Sequence, residues 1–171
     1  MIERTSIEKS AKPPIEVERK WRVAMTRLDE LGPLDRYDYS PVRQGYLVIG
    51  VDGSEMRVRD SNGIYTATVK TRGNIVRSEW EVEITKEQFD GLWGASEGRR
   101  VEKTRFNIPH GEYIVELDVY EGALAGLVTA EIEFNDERTA LAFVSPEWLG
   151  KDVTDDQRYK NQNLAVGRDV L

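Results

Sequence analysis

Two residue types are almost missing from this chain of 171 residues: it has no cysteine and one histidine, His110. Without thiols there is no disulfide framework, no thiolate nucleophile and no cysteine-based zinc site. A lone imidazole weighs against a His-rich metal centre and against a Ser-His-Asp triad. No apolar run approaches the roughly 18 residues of a membrane span. Residues 1–14 carry charges and no apolar stretch of the secretory kind, and they read as a tail ended by Pro13-Pro14. There is no repeat at solenoid spacing and no low-complexity segment. These absences point to a cytoplasmic protein that engages no membrane, with chemistry carried by carboxylates, Lys, Arg and Tyr.

Charge, by contrast, is plentiful. The 24 basic and 31 acidic residues leave a net charge of −7, which argues against nucleic acid as a partner. At this length, a hydrophobic fraction of 39% supports one domain with a real core, residues 15–171.

From Ile15 the chain reads as short strands. Ile15–Trp21 alternates with period two, and a short helical stretch over Thr26–Leu31 is stopped by Gly32-Pro33. Strands follow at Gln44–Gly50, Glu55–Asp60, Ile64–Thr71 and Val76–Ile84, separated by the turn signals Asp52-Gly53, Asn62-Gly63 and Gly73-Asn74. Thr85 and Gln88 form a capping box ahead of a helix carrying Phe89, Leu92 and Trp93. Strands over Val101–Ile108 and Glu112–Tyr120 flank a turn at Pro109-His110-Gly111, and Leu127–Phe134 makes another. Asn135 or Asp136 caps a helix with Leu141 and Phe143, Pro146–Gly150 turns, and a last helix runs from Asp155 to about Leu164. Tight turns between successive strands predict a single α+β domain with an antiparallel sheet.

One face of these strands is charged almost throughout. Glu16, Glu18 and Lys20 share a face, as do Arg57 with Arg59, and Thr66, Thr68, Lys70 and Arg72. The same holds for Arg77, Glu79, Glu81 and Glu83, for Lys103 with Arg105, for Glu116 with Asp118, and for Glu131 with Glu133. A single such strand is an ordinary half-wet strand. Seven together are not, because directly opposed like charges cost tenths to about 1 kcal/mol per pair. Closing about eight strands into a barrel puts that face inside, at the size that just holds side chains or a small ligand. Basic residues would there hold a polyanion and clustered carboxylates hard divalent cations, a metal–polyphosphate site.

On these residues the sequence resembles the CYTH-domain, or triphosphate tunnel metalloenzyme, superfamily. The ordered series is Glu16-x-Glu18-x-Lys20, Gln44-Gly45-Tyr46-Leu47, Arg57-x-Arg59, Thr68-Val69-Lys70, Glu79-x-Glu81-x-Glu83, Lys103-x-Arg105, Glu116-Leu117-Asp118, Glu131-Ile132-Glu133, Val153-Thr154 and Tyr159-Lys160-Asn161. It spans about residues 15–166, and its Gly-Tyr-Leu run is similar to the bacterial inorganic triphosphatase branch. In the closing motif Lys160 stands where small residues are common.

The resemblance implies an eight-stranded antiparallel barrel flanked by short helices, with Mg²⁺ or Mn²⁺ as cofactor and a small polyphosphate as substrate, in a monomer or homodimer. It implies Glu16, Glu18 and Glu133 as ligands of a first metal, with Asp118 and Glu131 as candidates for a second. Lys20, Arg57, Arg59, Lys70 and Arg105 resemble the phosphate-binding set, joined by Arg72 and Lys103. Lys20 would also act in catalysis, and Glu79 or Glu81 would accept the water proton. The expected reaction is hydrolysis of inorganic triphosphate to pyrophosphate and phosphate. Alternatives on the same fold are a thiamine or nucleoside triphosphate hydrolase or an adenylate cyclase. A rival of another class is a non-catalytic polyphosphate or nucleotide binder.

Overall fold

A computed structural model describes residues 14–167. Residues 1–13 of the expected tail lie outside that range; Pro14 is inside it, its carbonyl accepting from the Glu79 N–H at 3.0 Å. The strands are β1 (Ile15–Arg22), β2 (Asp38–Ile49), β3 (Glu55–Ser61), β4 (Ile64–Lys70), β5 (Val76–Glu83), β6 (Arg100–His110), β7 (Tyr113–Tyr120), β8 (Val128–Glu133) and the two-residue β9 (Lys151–Asp152). Among the described residues three α-helices accompany them: α1 (Lys86–Ala95), α2 (Glu137–Ala142) and α3 (Asn161–Leu164). The order is β5-β4-β3-β2-β6-β7-β8-β1-β9, and a β5–β1 pairing closes strands β1 to β8 into the expected antiparallel barrel. Among the described residues no helix is long and apolar enough to cross a membrane.

Period-two alternation sorts each strand. Val17 and Trp21 point outward from β1 into a core shared with Leu117, Ala130, Ile132 and Phe134, while Glu16, Glu18 and Lys20 point into the barrel. That core lies outside the barrel, under α2 and the 3-10 turn Met25–Leu31. Trp21 is fully buried there with Phe143 edge-on at 5.9 Å. Burying such a side chain contributes about 1.5–3 kcal/mol. Helix α1 starts on the expected capping box of Thr85 and Gln88 and lays Phe89 and Trp93 over β2 and β3. Gly45 permits that approach: a Cβ there would stand 2.1 Å from Ser96 Oγ and 3.2 Å from the Trp93 ring.

Three local expectations are corrected. Strand β2 begins six residues before Gln44, because Pro41 breaks the alternation yet pairs with Thr104 of β6. Pro109 and His110 extend β6 rather than turn, pairing with Ile114 and Tyr113, so the turn falls on Gly111 and Glu112. The last helix does not run from Asp155. Asp156 caps a 3-10 turn over Gln157–Tyr159, Lys160 is extended, and α3 follows.

Candidate active site

Strand register decides which charges meet inside the barrel. Glu16 stands opposite Arg77, Lys20 opposite Glu131, Lys70 between Glu55 and Glu79, and Arg105 opposite Asp118. The rows of like charge expected to repel one another therefore mostly face rows of opposite sign. Lys70 Nζ donates to Glu16 Oε1 at 2.6 Å and lies 2.9 Å from Glu79 Oε2. Lys20 Nζ is 2.7 Å from Glu131 Oε1. Two opposed pairs keep the same sign, Glu18 with Glu133 and Glu116 with Glu131.

One side of the interior is saturated with ion pairs. Arg105 grips Asp118 through two hydrogen bonds of 2.7 Å each, reaches Glu131 at 2.7 Å and also bonds Glu116. Lys103 pairs with Asp118, both side chains completely buried. Burial works to raise the Asp118 carboxyl, but Arg105 and Lys103 outweigh it and hold it below the usual range. Glu131 is held well down in the same way, against burial, by Lys20, Lys103 and Arg105. Lys103 itself is pushed down to about 8 by burial and by Arg105.

The other side is short of counter-charge. Burial, then Glu131 and Glu16, push the Glu18 carboxyl up to about 8. Glu133 is raised by burial and by Glu16, Glu116 and Glu79. Arg77 lies 3.2 Å from Glu16 Oε2, yet that buried oxygen accepts no hydrogen bond from the described residues. Arg59 is the cationic counterpart: its Nε is buried without a partner among the described residues, and burial with Arg57 and Arg105 nearby pushes it down to about 10. Arg57 Nε is also without a partner among the described residues, and Arg57 Nη1 lies 3.7 Å from Glu55 Oε1. Glu18, Arg57, Arg59, Lys70, Arg105 and Glu133 all line one cavity of about 210 Å³.

The remaining residues fall as follows. Glu16, Glu79 and Glu81 line the same cavity, and Glu81 accepts from Thr68 Oγ1 at 2.8 Å and Thr66 Oγ1 at 3.4 Å. Lys20 faces a narrower chamber of about 40 Å³ that continues the first past Glu18, Arg57, Arg77 and Glu131. Arg72 is exposed beyond the end of β4 and does not line either chamber. Lys103 and Asp118 are packed behind the cavity wall. The site also includes Glu55, Arg77, Tyr46 and Lys160, to which no site role was assigned from sequence. Glu55 was findable, since it lies two residues before Arg57 and so on the same face of β3. Lys160 was not, because its approach depends on the course of the C-terminal segment.

No family model matches the chain. It is 44% identical over 153 residues to an inorganic triphosphatase of Nitrosomonas europaea, covering 88% of this chain and 97% of that protein. It is 40% identical over 125 residues to an inorganic triphosphatase of Acetivibrio thermocellus, covering 72% of this chain and 78% of the other. A crystal structure of an inorganic triphosphatase superimposes with a TM-score of 0.64 at 41% identity, over 90% of this chain and 95% of that one.

Proposed function

This chain belongs to the bacterial inorganic triphosphatase branch of the CYTH, or triphosphate tunnel, superfamily, and on that premise we propose that it hydrolyses inorganic triphosphate to pyrophosphate and phosphate. The observation that carries this reading is the pairing of two unmet demands in one cavity. Arg59 lacks an anion, while Glu18 and Glu133 lack a cation. A polyanion alone would meet the first and aggravate the second. A polyphosphate accompanied by a divalent cation meets both.

The donor set fits such a cation. Glu16, Glu18 and Glu133 offer hard oxygen ligands, as Mg²⁺ or Mn²⁺ prefers, and burial first, then neighbouring carboxylates, raises Glu18 and Glu133, an environment that a cation would relieve. Among the described residues no three acidic or histidine side chains are already gathered into a ligand set. Asp118 and Glu131 fit less well, because Lys20, Lys103 and Arg105 already occupy their oxygens. When bound, the cation neutralises phosphate oxygens and lowers the pKa of a coordinated water.

The protein's own groups supply the rest. Phosphoryl transfer needs in-line positioning and neutralisation of spreading charge more than covalent help. Arg57, Arg59, Lys70 and Arg105 hold the phosphate oxygens through charge-assisted hydrogen bonds. Water attacks a terminal phosphorus, the bridging P–O bond breaks, and its electron pair leaves on pyrophosphate, where Lys20 balances the charge. The water proton passes to Glu81, which the Thr66 and Thr68 hydroxyls orient. Glu79 is less suited to that role, since Lys70 engages it and outweighs burial to lower its pKa.

Phosphate release from tripolyphosphate, ATP, thiamine triphosphate and pyrophosphate, with and without Mg²⁺, tests the reading. Tripolyphosphate should be preferred and turnover should need the metal. Tight tripolyphosphate binding without hydrolysis under any metal would make the protein a binder instead.

A further inference from the structure

Strand β2 stands across from the two arginines of β3, residue for residue. Gln44 is opposite Arg59, and Tyr46 is opposite Arg57. Opposed residues of an antiparallel pair have Cβ atoms about 4.5–5.5 Å apart and project from one face. Gln44 and Tyr46 are both completely buried on that face. Arg59 lines the larger chamber, whereas Gln44 lines neither. The Gln44 amide therefore sits behind a phosphate-gripping side chain rather than against the space the substrate would fill.

The nitrogen of that amide is already engaged. Gln44 Nε2 donates to the Tyr46 hydroxyl at 2.8 Å. Holding the nitrogen on the phenol also fixes the direction of the oxygen, since both belong to one planar group. Gln44 Oε1 is buried and accepts no hydrogen bond from the described residues. Arg59 Nε is buried and donates none to them. An acceptor without a donor and a donor without an acceptor thus stand on directly opposed residues. Each costs stability by itself, and a single hydrogen bond would remove both costs. Arg59 also lies within electrostatic reach of the phenol that anchors the amide. Burial, then Glu55, raises Tyr46, while Arg57 and Arg59 pull against that rise. After burial, the strongest influence on Arg59 itself is like charge, from Arg57 and Arg105. A phosphate among the three would cancel that repulsion and let the Arg59 guanidinium settle.

We propose that Gln44 is a positioning residue for the phosphate grip, a role that rests on the polyphosphate reading argued above. When polyphosphate enters, Arg59 Nε donates to Gln44 Oε1, and the two Nη nitrogens turn together toward phosphate oxygens. The guanidinium carries its donors in a rigid plane, so anchoring the Nε edge leaves the terminal pair as a fork. Such a fork matches two oxygens of one phosphoryl group. Gln44 acts in this way on affinity and leaves the bond-breaking step alone.

A double-mutant cycle tests the role. Gln44→Met keeps the volume and loses the amide, and Gln44→Asn keeps the amide and withdraws it by one methylene. Arg59→Lys keeps the charge and loses the Nε donor. KM and kcat are measured with tripolyphosphate and Mg²⁺. The dissociation constant is measured by calorimetry with imidotriphosphate, whose bridging atoms are nitrogen. Each Gln44 variant should raise KM and the dissociation constant about tenfold, which corresponds to about 1.4 kcal/mol, and leave kcat within about twofold. In the Arg59→Lys background the same substitutions should change neither constant further, because the donor is already gone. In melts without ligand the effects at the two positions should add, since no bond joins them there. The same melts establish which variants are folded, and either Gln44 variant completes the cycle. Additive losses of affinity, a fall in kcat at unchanged KM, or a coupling already present without ligand would overturn the proposal. If tripolyphosphate is bound but not hydrolysed, the triphosphatase reading falls and the calorimetric cycle still decides the role of Gln44. If tripolyphosphate is hydrolysed and the cycle is additive, the role of Gln44 falls alone.

Discussion

Replacing Glu18 with Gln keeps its shape and removes its charge, and the consequence for stability can be worked out with its sign. The Glu18 carboxyl has its pKa raised from an ordinary 4.5 to about 8 in the metal-free fold. Between those values the folded state holds a proton that the unfolded state has released. Stability therefore falls as pH rises through that window, is unaffected below it, and has lost the whole amount above it. The span sets a ceiling of about 5 kcal/mol. Since 1 kcal/mol moves the melting temperature of a chain this size by about 2–4 °C, the effect is on the order of 10 °C. In calorimetric melts with a chelator, Glu18→Gln should match the wild type near pH 5 and melt well above it near pH 8.5. Adding Mg²⁺ with tripolyphosphate should narrow that gap by up to about 2.7 kcal/mol, the stabilisation from a ligand at 100 times its dissociation constant, because the variant has lost a ligand group. The same difference in melting temperature at both pH values would refute the argument that a buried, uncompensated carboxylate strains the empty tunnel. Wild-type turnover of the variant at limiting Mg²⁺ would remove Glu18 from the metal site.

Arg59→Ala should raise the KM for tripolyphosphate about ten- to a hundredfold, since hydrogen bonds to charged groups contribute about 1.5–3 kcal/mol each. The same variant should lose no stability without ligand, because the Arg59 Nε has no partner among the described residues to forfeit. Asp118→Asn should cost about 3–5 kcal/mol in urea denaturation by stranding the buried Lys103 and Arg105, whereas calorimetric Mg²⁺ affinity should hold if Asp118 is no ligand. Trp21→Ala should cost about 3–5 kcal/mol in the same denaturation assay and leave KM unchanged, because its ring packs outside the barrel.

Alternation carried most of the fold, because a period of two is written into each strand and Asn62-Gly63 or the Thr85–Gln88 box marks an end by local chemistry. It failed where the signal is local but the cause is not. Pro41 hides the first half of β2, whose pairing with β6 comes from a distant stretch of chain. Lys160 reads as helical and is held extended by a carbonyl 87 positions away. At the site, alternation identified the inward charges but could not say which would neutralise which. Only register distinguishes Asp118, enclosed by Lys103 and Arg105, from Glu18, which faces Glu133. The sequence pattern treats them alike.

Strand β1 carries the outer core on its odd positions, Val17 and Trp21, and the tunnel on its even ones, Glu16, Glu18 and Lys20. A slip of one residue would exchange the two sets completely. Three charges would be driven into the packing under α2, and an indole would block the passage. Insertions or deletions within β1 are thus barred when they are odd in length, however conservative the inserted side chain. The same strand makes misfolding self-announcing, because a mispaired β1 forfeits stability and activity in a single event. Chains that fold in the wrong register would carry Trp21 in the tunnel and bind neither metal nor phosphate, so the fraction of a preparation that binds ligand would report how much of it folded in register.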